Sequence, residues 1–246
     1  MRKFLLSFAV ILTMAILPAE VALAQIPSTY FTEGETIVWK IKEIPAGRFP
    51  MVSAVDIATL TERFNRLYEA GFNLADLNVR ESEGQWSLFI GDNKIFSVSE
   101  AHAQASTMSA EMIAINLMSR MYEALAGENA NKLTAAHQIG GQYEAAATVS
   151  WYSESFIGKR FANGERVTRT HLAAAARSLP FGTLVKVIAP SGRYVVVRIT
   201  DRFPGRRNRL LDVSPAAADL LGMRSAGVLR VMVKVIGSAD KVGGRL

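Results

Sequence analysis

Two folded units of different class are predicted behind an export leader: an α+β domain, then a small mainly-β barrel. Three observations predict this. Charge divides the chain, with nine Lys and Arg against fifteen Asp and Glu over residues 25–144, and seventeen against six over residues 145–246. Hydrophobic spacing in the first half alternates between the helical and the strand period. In the second half it gives four β-rich runs separated by clusters of Gly, Pro, Asn and Ser.

The leader is read from its three parts. Met1, Arg2 and Lys3 precede an apolar run over 4–17, and Pro18 then leads to Ala22, Leu23 and Ala24, so cleavage is expected before Gln25. The run is shorter than the ~20 apolar residues that span a bilayer as a helix, so the mature chain is expected to be soluble, without an integral membrane segment. The sequence has no cysteine. That rules out disulfides, thiolate metal sites and a lipidated cleavage point, so the chain is expected in the periplasm, cell-wall associated and not a lipoprotein.

The α+β domain is expected over 25–127. Residues 36–41 read as a strand closed by Pro45 and Gly47. A helix follows, capped by Ser53 with Asp56 and ended at Gly71, its buried face carrying Ile57, Leu60, Phe64, Leu67 and Tyr68. Strands fit 77–80, 86–90 and 95–98, the last two joined by a turn over 91–94. A second helix over 109–125 is apolar on more than one stripe, which predicts burial against the small sheet.

Residues 128–144 are poor in large apolar side chains and read as a linker. The barrel is expected over 145–237, with a tail over 238–246. Its strand runs are 147–151, 184–188, 194–200 and 228–236. A short helix lies between the last two, with Ser214 as N-cap, Pro215 in its first turn and Gly222 at its end. Strands with one short helix in ~90 residues argue for a small barrel without saying which.

Five segments carry a family resemblance: 147–152 (ATVSWY), 162–165 (ANGE), 179–183 (LPFGT), 195–202 (VVVRITDR) and 211–214 (LDVS). In content, order and spacing they resemble the barrel of the rare lipoprotein A (RlpA) family. The resemblance implies a six-stranded double-psi β-barrel that cuts peptidoglycan glycan where stem peptides have been removed. The first half, with the run 64–68 (FNRLY), is similar to N-terminal regions of cyanobacterial members. The resemblance places catalysis on Asp201, with Glu165 as helper and a histidine at the end of 172–176. That stretch reads LAAAA, so alanine occupies the histidine position, Ala176. Phe161 and the run Asp201, Arg202, Phe203, Pro204 also depart from the family pattern.

Glycoside hydrolysis ordinarily requires two carboxyl groups. A lytic transglycosylase can work with one, because the C6 hydroxyl of the muramic acid itself closes on C1. Asp201 ends a strand in which Val195, Val197 and Ile199 would share its side, at the barrel rim beside Phe203, where partial desolvation favours an acid. The alternative is a strand-end carboxylate paired with Arg198, Arg202 or Arg206. Glu165 has the composition of a solvated turn residue, and Asp212 reads as tying down the turn before Ser214. His171 reads as a surface histidine. Candidate substrate contacts are Trp151, Tyr152, Asn163 and Arg202. Trp151 and Tyr152, with Phe156 and Tyr194, form either a sugar-stacking set or in part the core.

No His, Asp and Glu spacing suggests a metal, and no Gly-rich loop opens a helix, so no cofactor is expected. The basic barrel suits an anionic polymer. For an exported chain that is the carboxylate-bearing wall rather than nucleic acid, although charge that serves only solubility stays open. The resulting reading is an endolytic peptidoglycan transglycosylase that leaves 1,6-anhydro-muramic ends. A rival reading is a glycan-binding protein impaired by the alanine at 176, and a third is an adaptor whose acidic domain engages envelope or division proteins.

Overall fold

The computed structural model describes residues 28–50, 54–139, 142–204 and 209–244. The leader, the Ser53 cap, Gly140, Gly141 and Arg206 lie outside them. In the first half β1 (Ser28–Glu33), β2 (Thr36–Ile41) and β3 (Ile44–Pro50) form an antiparallel meander. Pro45 and Gly47, expected to close the first strand, instead lie within β3. An edge strand accommodates proline because its outward N–H has no ladder partner to lose. Gly47 is required there, since a Cβ would stand 2.6 Å from the Phe49 ring.

Helix α1 (Ala54–Ala70) packs on this sheet with Ile57, Leu60 and Phe64 fully buried, Phe64 meeting Trp39 edge to face at 5.5 Å. Gly71 ends it at φ +76°, as its position suggested. After the short β4 (Phe72–Asn73), a second meander is formed by β5 (Leu77–Ser82), β6 (Gln85–Ile90) and β7 (Asn93–Ser97). The short α2 (Glu100–Gln104) leads to α3 (Ala110–Ala126), which Ser109 caps by accepting from the Met112 N–H.

The apolar girth of α3 has a specific cause. One side packs on β3, β5 and β6, and the other on β10, β11 and β13 of the barrel, so the helix is buried between the two halves. Ile115, Met118 and Met121 are at most 2% exposed. Truncating Met121 to alanine would cost about 2–5 kcal/mol, through lost transfer energy and the cavity left behind. The segment expected as a linker carries short 3-10 helices at Gly127–Lys132 and Ala135–His137, and the side chain of the buried Asn129 donates to the Ser238 carbonyl.

The second half is a closed six-stranded barrel in the order β10-β11-β9-β12-β8-β13. Its strands are β8 (Glu144–Trp151), β9 (Ala173–Ala176), β10 (Thr183–Ile188), β11 (Tyr194–Asp201), β12 (Arg209–Val213) and β13 (Val228–Ser238). The pairs β11/β9 and β12/β8 are parallel and the other pairs antiparallel. Helix α4 (Pro215–Leu221) has the expected caps: Ser214 accepts from the Ala217 N–H, and Gly222 is left-handed. The two-residue β14 (Lys241–Val242) returns to pair with β4. One continuous core joins both halves.

Candidate active site

The site lies on the outer face of the barrel, where β11, β9, β12 and β8 run side by side. A β-bulge sets it up. Ile199 pairs with Ala174, but the next partner of β9 residue Ala175 is Asp201, so Thr200 is the extra residue. Asp201 therefore leaves the inward row of Val195, Val197 and Ile199 on which the strand period had placed it, and turns to the opposite face. On that face it is level with Ala175, Asp212 and Ser150 across four adjacent strands. The alanine at 176 points the other way, into the main core, at 1% exposure.

The long connection from β8 to β9 folds over this face. Tyr152, Phe161, Val167 and Ala173 make a small separate core beneath it. Within the connection, the Asn163 side chain donates to Glu165 Oε1 at 2.8 Å and accepts the Glu165 N–H at 3.1 Å, while the Asn163 N–H reaches the Thr200 carbonyl. Arg198, 5% exposed, donates through both terminal nitrogens to the two oxygens of Glu165, at 2.6 Å each. Glu165 is thus a half-buried partner in a bidentate ion pair rather than a solvated turn carboxylate. Burial pushes its carboxyl up, but the bonds and charge of Arg198, with help from His171 and Asn163, hold it below the usual range.

The folded connection presents the Ala162 N–H to Asp201. Oδ1 of Asp201 accepts that N–H at 2.9 Å and its neighbour's, Arg202, at 2.8 Å. Among the described residues Oδ2 has no partner, and no arginine pairs with this carboxyl: Arg198 is committed to Glu165. The Arg202 guanidinium lies 3.8 Å from the Phe181 ring centroid and donates to the carbonyls of Ala176 and Asp201. Phe181 is 42% exposed, so Arg202 and Phe181 form a flat rim beside the carboxyl.

The aromatic set divides. Tyr152 is buried edge-on between Phe156 and Phe161, which corrects its expected place on a stacking platform. Its hydroxyl is buried without a hydrogen-bond partner. Trp151 packs against the main core with Arg224 over its ring at 4.6 Å, so it too is not an open platform. Tyr194 is engaged by the first half: its hydroxyl donates to Glu123, and Arg120 covers its ring. Phe156 remains 43% exposed.

His171 is partly buried against Phe161 and not a surface residue. Its Nδ1 accepts the Thr168 N–H. Burial, and next the charge of Arg198, lower its pKa to about 4 against the pull of Glu165, so the ring is neutral near pH 7. Asp212 accepts a 2.8 Å bond from the Ser150 hydroxyl, and burial raises its carboxyl above the ordinary range. Sequence reasoning missed Arg198 as the organiser of Glu165, and Phe181. A buried arginine in an otherwise apolar strand, Val195 to Ile199, was the available signal for the first.

Residues 144–233 match the family model described as lytic transglycolase, a double-psi β-barrel domain. A probable endolytic peptidoglycan transglycosylase RlpA of Synechocystis sp. is 40% identical over 141 residues, 52% of this chain and 44% of that protein. The endolytic peptidoglycan transglycosylase RlpA of Campylobacter jejuni is 38% identical over 101 residues, 41% of this chain and 37% of that protein. The chain spans less than half the length of these relatives. Among solved structures, an expansin of Clavibacter michiganensis matches at 22% identity and TM-score 0.32, over 38% of this chain and 50% of that one. A Streptomyces papain inhibitor matches at 19% and 0.32, over 40% and 94%. Over residues 144–233 the chain therefore carries a lytic transglycolase domain and is similar there to these RlpA proteins.

Proposed function

We propose that this protein is an endolytic peptidoglycan transglycosylase that acts on glycan strands lacking stem peptides, with Asp201 as its acid and base. The observation that carries the reading is the Asp201 carboxyl. One oxygen is fixed by two backbone N–H groups, the other has no partner among the described residues, and Arg198 and Arg202 are bonded elsewhere. A carboxyl held in this way is oriented yet free to exchange a proton. Protonated Asp201 gives its proton to the glycosidic oxygen as the C1–O bond breaks. The C6 hydroxyl oxygen bonds to C1, and its proton returns to Asp201. The products are a new non-reducing end and a 1,6-anhydro-muramic end, and no water is consumed.

Glu165 is a positioning residue in this scheme. Charged and bound to Arg198, it fixes the turn that carries the Ala162 N–H. Arg202 on Phe181 supplies a flat cationic rim for a sugar face or a muramic lactyl carboxylate.

Digestion of denuded glycan strands followed by mass spectrometry tests the reading. Wild type should produce 1,6-anhydro ends, and Asp201→Asn should produce them about 10²–10⁴-fold more slowly. Equal rates would remove Asp201 from the chemistry. The burial of Ala176 in the core favours a second reading, glycan binding without cleavage, because no imidazole stands at that position. Strands bound by the wild type and never cut would decide for it.

A further inference from the structure

We propose that the first half of the chain is part of the catalytic apparatus: it positions strand β11 and the connection from β8 to β9, acting on the connection through Thr170. The positioning stands on its own contacts, and only its effect on turnover rests on the transglycosylase reading.

Helix α3 packs along β11, the strand that carries Arg198 and Asp201. Strand β9 pairs with β11 from Arg198 onward. Ahead of that point the fully buried Ser119 on α3 takes the place of a strand partner, its hydroxyl oxygen accepting the Val196 N–H at 2.9 Å. A buried N–H without an acceptor destabilises a fold, so the first half completes this strand rather than resting on it. Nearly one turn further along α3, Tyr122 is 2% exposed and lines a cavity of about 290 Å³ together with Arg198 and His171. Burial raises its phenol most, and the charge and a hydrogen bond of Arg198 oppose that. Arg198 therefore stands between Tyr122 of the first half and Glu165 of the connection.

The connection is tied down where it enters β9. The hydroxyl of Thr170, 5% exposed, donates to the Val79 carbonyl on β5 at 2.6 Å. Its neighbour Arg169 pairs with Glu111 on α3 at 2.8 Å, but Arg169 is largely exposed, so water and salt weaken that contact and the buried bond governs. From Thr170 the constraint passes along the chain. His171 accepts the Thr168 N–H and packs its ring on Phe161 at 5.5 Å, and Phe161 precedes Ala162, whose N–H fixes Asp201. Thr170 is bonded away from Asp201 and acts through this path, which makes it a positioning residue.

The test compares Thr170→Val, which keeps the shape and removes the hydroxyl, with Thr170→Ser, which keeps the hydroxyl. Amide hydrogen exchange needs no turnover. The Phe161 and Val167 N–H groups are bonded to the Glu165 and Lys159 carbonyls within the connection. Both should exchange about tenfold faster in Thr170→Val, while β13 amides keep their wild-type protection and Thr170→Ser restores it at both sites. Unchanged exchange at the two amides, or faster exchange at β13 as well, would overturn the proposal. Tyr122→Phe, which loses only the hydroxyl facing Arg198, should speed exchange at the same amides about threefold; no change there overturns the part played by α3. On denuded glycan, Thr170→Val should lower kcat roughly tenfold at unchanged KM, because the rim of Arg202 and Phe181 keeps its place. A raised KM at unchanged kcat also overturns the proposal. Local loosening in a protein that cuts no glycan in any form leaves the positioning intact and rejects the transglycosylase reading instead.

Discussion

The connection that carries Glu165 and the strand ends that carry Asp201 and Asp212 lie on one face of one barrel, yet they treat carboxyl groups in opposite ways. Strand β11 offers Glu165 a buried guanidinium and the connection adds an amide, so Glu165 is held as an anion down to a lowered pKa. At the strand ends, among the described residues, Asp201 meets only two backbone N–H groups, one from the connection and one from Arg202, and Asp212 meets a serine hydroxyl. The difference teaches which carboxyl can do proton chemistry. Environments that separate the charge states of neighbouring acids divide the work between a fixed charge and an exchangeable proton.

Removing the guanidinium should break this contrast most severely. Arg198→Met leaves Glu165 without its partner, and because Glu165 is partly exposed, water recovers some of the loss, so destabilisation should be about 2 kcal/mol in urea unfolding. Glycan cleavage should fall as well, since the turn holding the Ala162 N–H loosens. Full stability in this variant would show that the ion pair does not organise the connection.

Glu165→Gln is milder, because a neutral amide can still accept from Arg198. We expect a loss of about 1 kcal/mol at pH 7. The pH dependence sharpens the comparison. A carboxyl held below its ordinary value stabilises the fold above about pH 4.5 and loses that contribution as pH falls through the lowered value. Thermal midpoints of wild type should therefore drop on acidification below about 4.5, with a flatter slope in Glu165→Gln. His171 acts in a different window. Its folded pKa of about 4 lies below the ordinary 6.5, so stability should decline as pH falls from 6.5 toward 4, and His171→Asn should remove that part of the slope. The smallest effect concerns binding: pelleting with sacculi should weaken gradually as salt rises if the excess of Lys and Arg in the barrel provides the attraction. Salt-independent pelleting would reject the electrostatic account.

The elements legible in the sequence were those with their own punctuation. The second strand, α3 with its Ser109 cap, and α4 between Ser214 and Gly222 were each read within a residue or so of their bounds. The strand over 173–176 was not read, because four alanines have little strand preference and are held by neighbours on both sides. β3 was missed because Pro45 and Gly47 imitate a turn. At the site, the motif around Asp201 was legible but its direction was not. A strict two-residue period places the side chain inward, and only the bulge at Thr200, a matter of pairing with β9, turns it outward to Asp212. Long-range register of this kind leaves no local mark on the chain.

The central claim, that Asp201 directs an intramolecular closure rather than hydrolysis, is tested most directly by digesting denuded glycan strands in ¹⁸O-labelled water and examining the new ends by mass spectrometry. The account predicts anhydro ends that carry no ¹⁸O, formed by wild type and lost in Asp201→Asn. Reducing ends that each carry one ¹⁸O would contradict it, showing that water, and not the C6 hydroxyl, attacks C1.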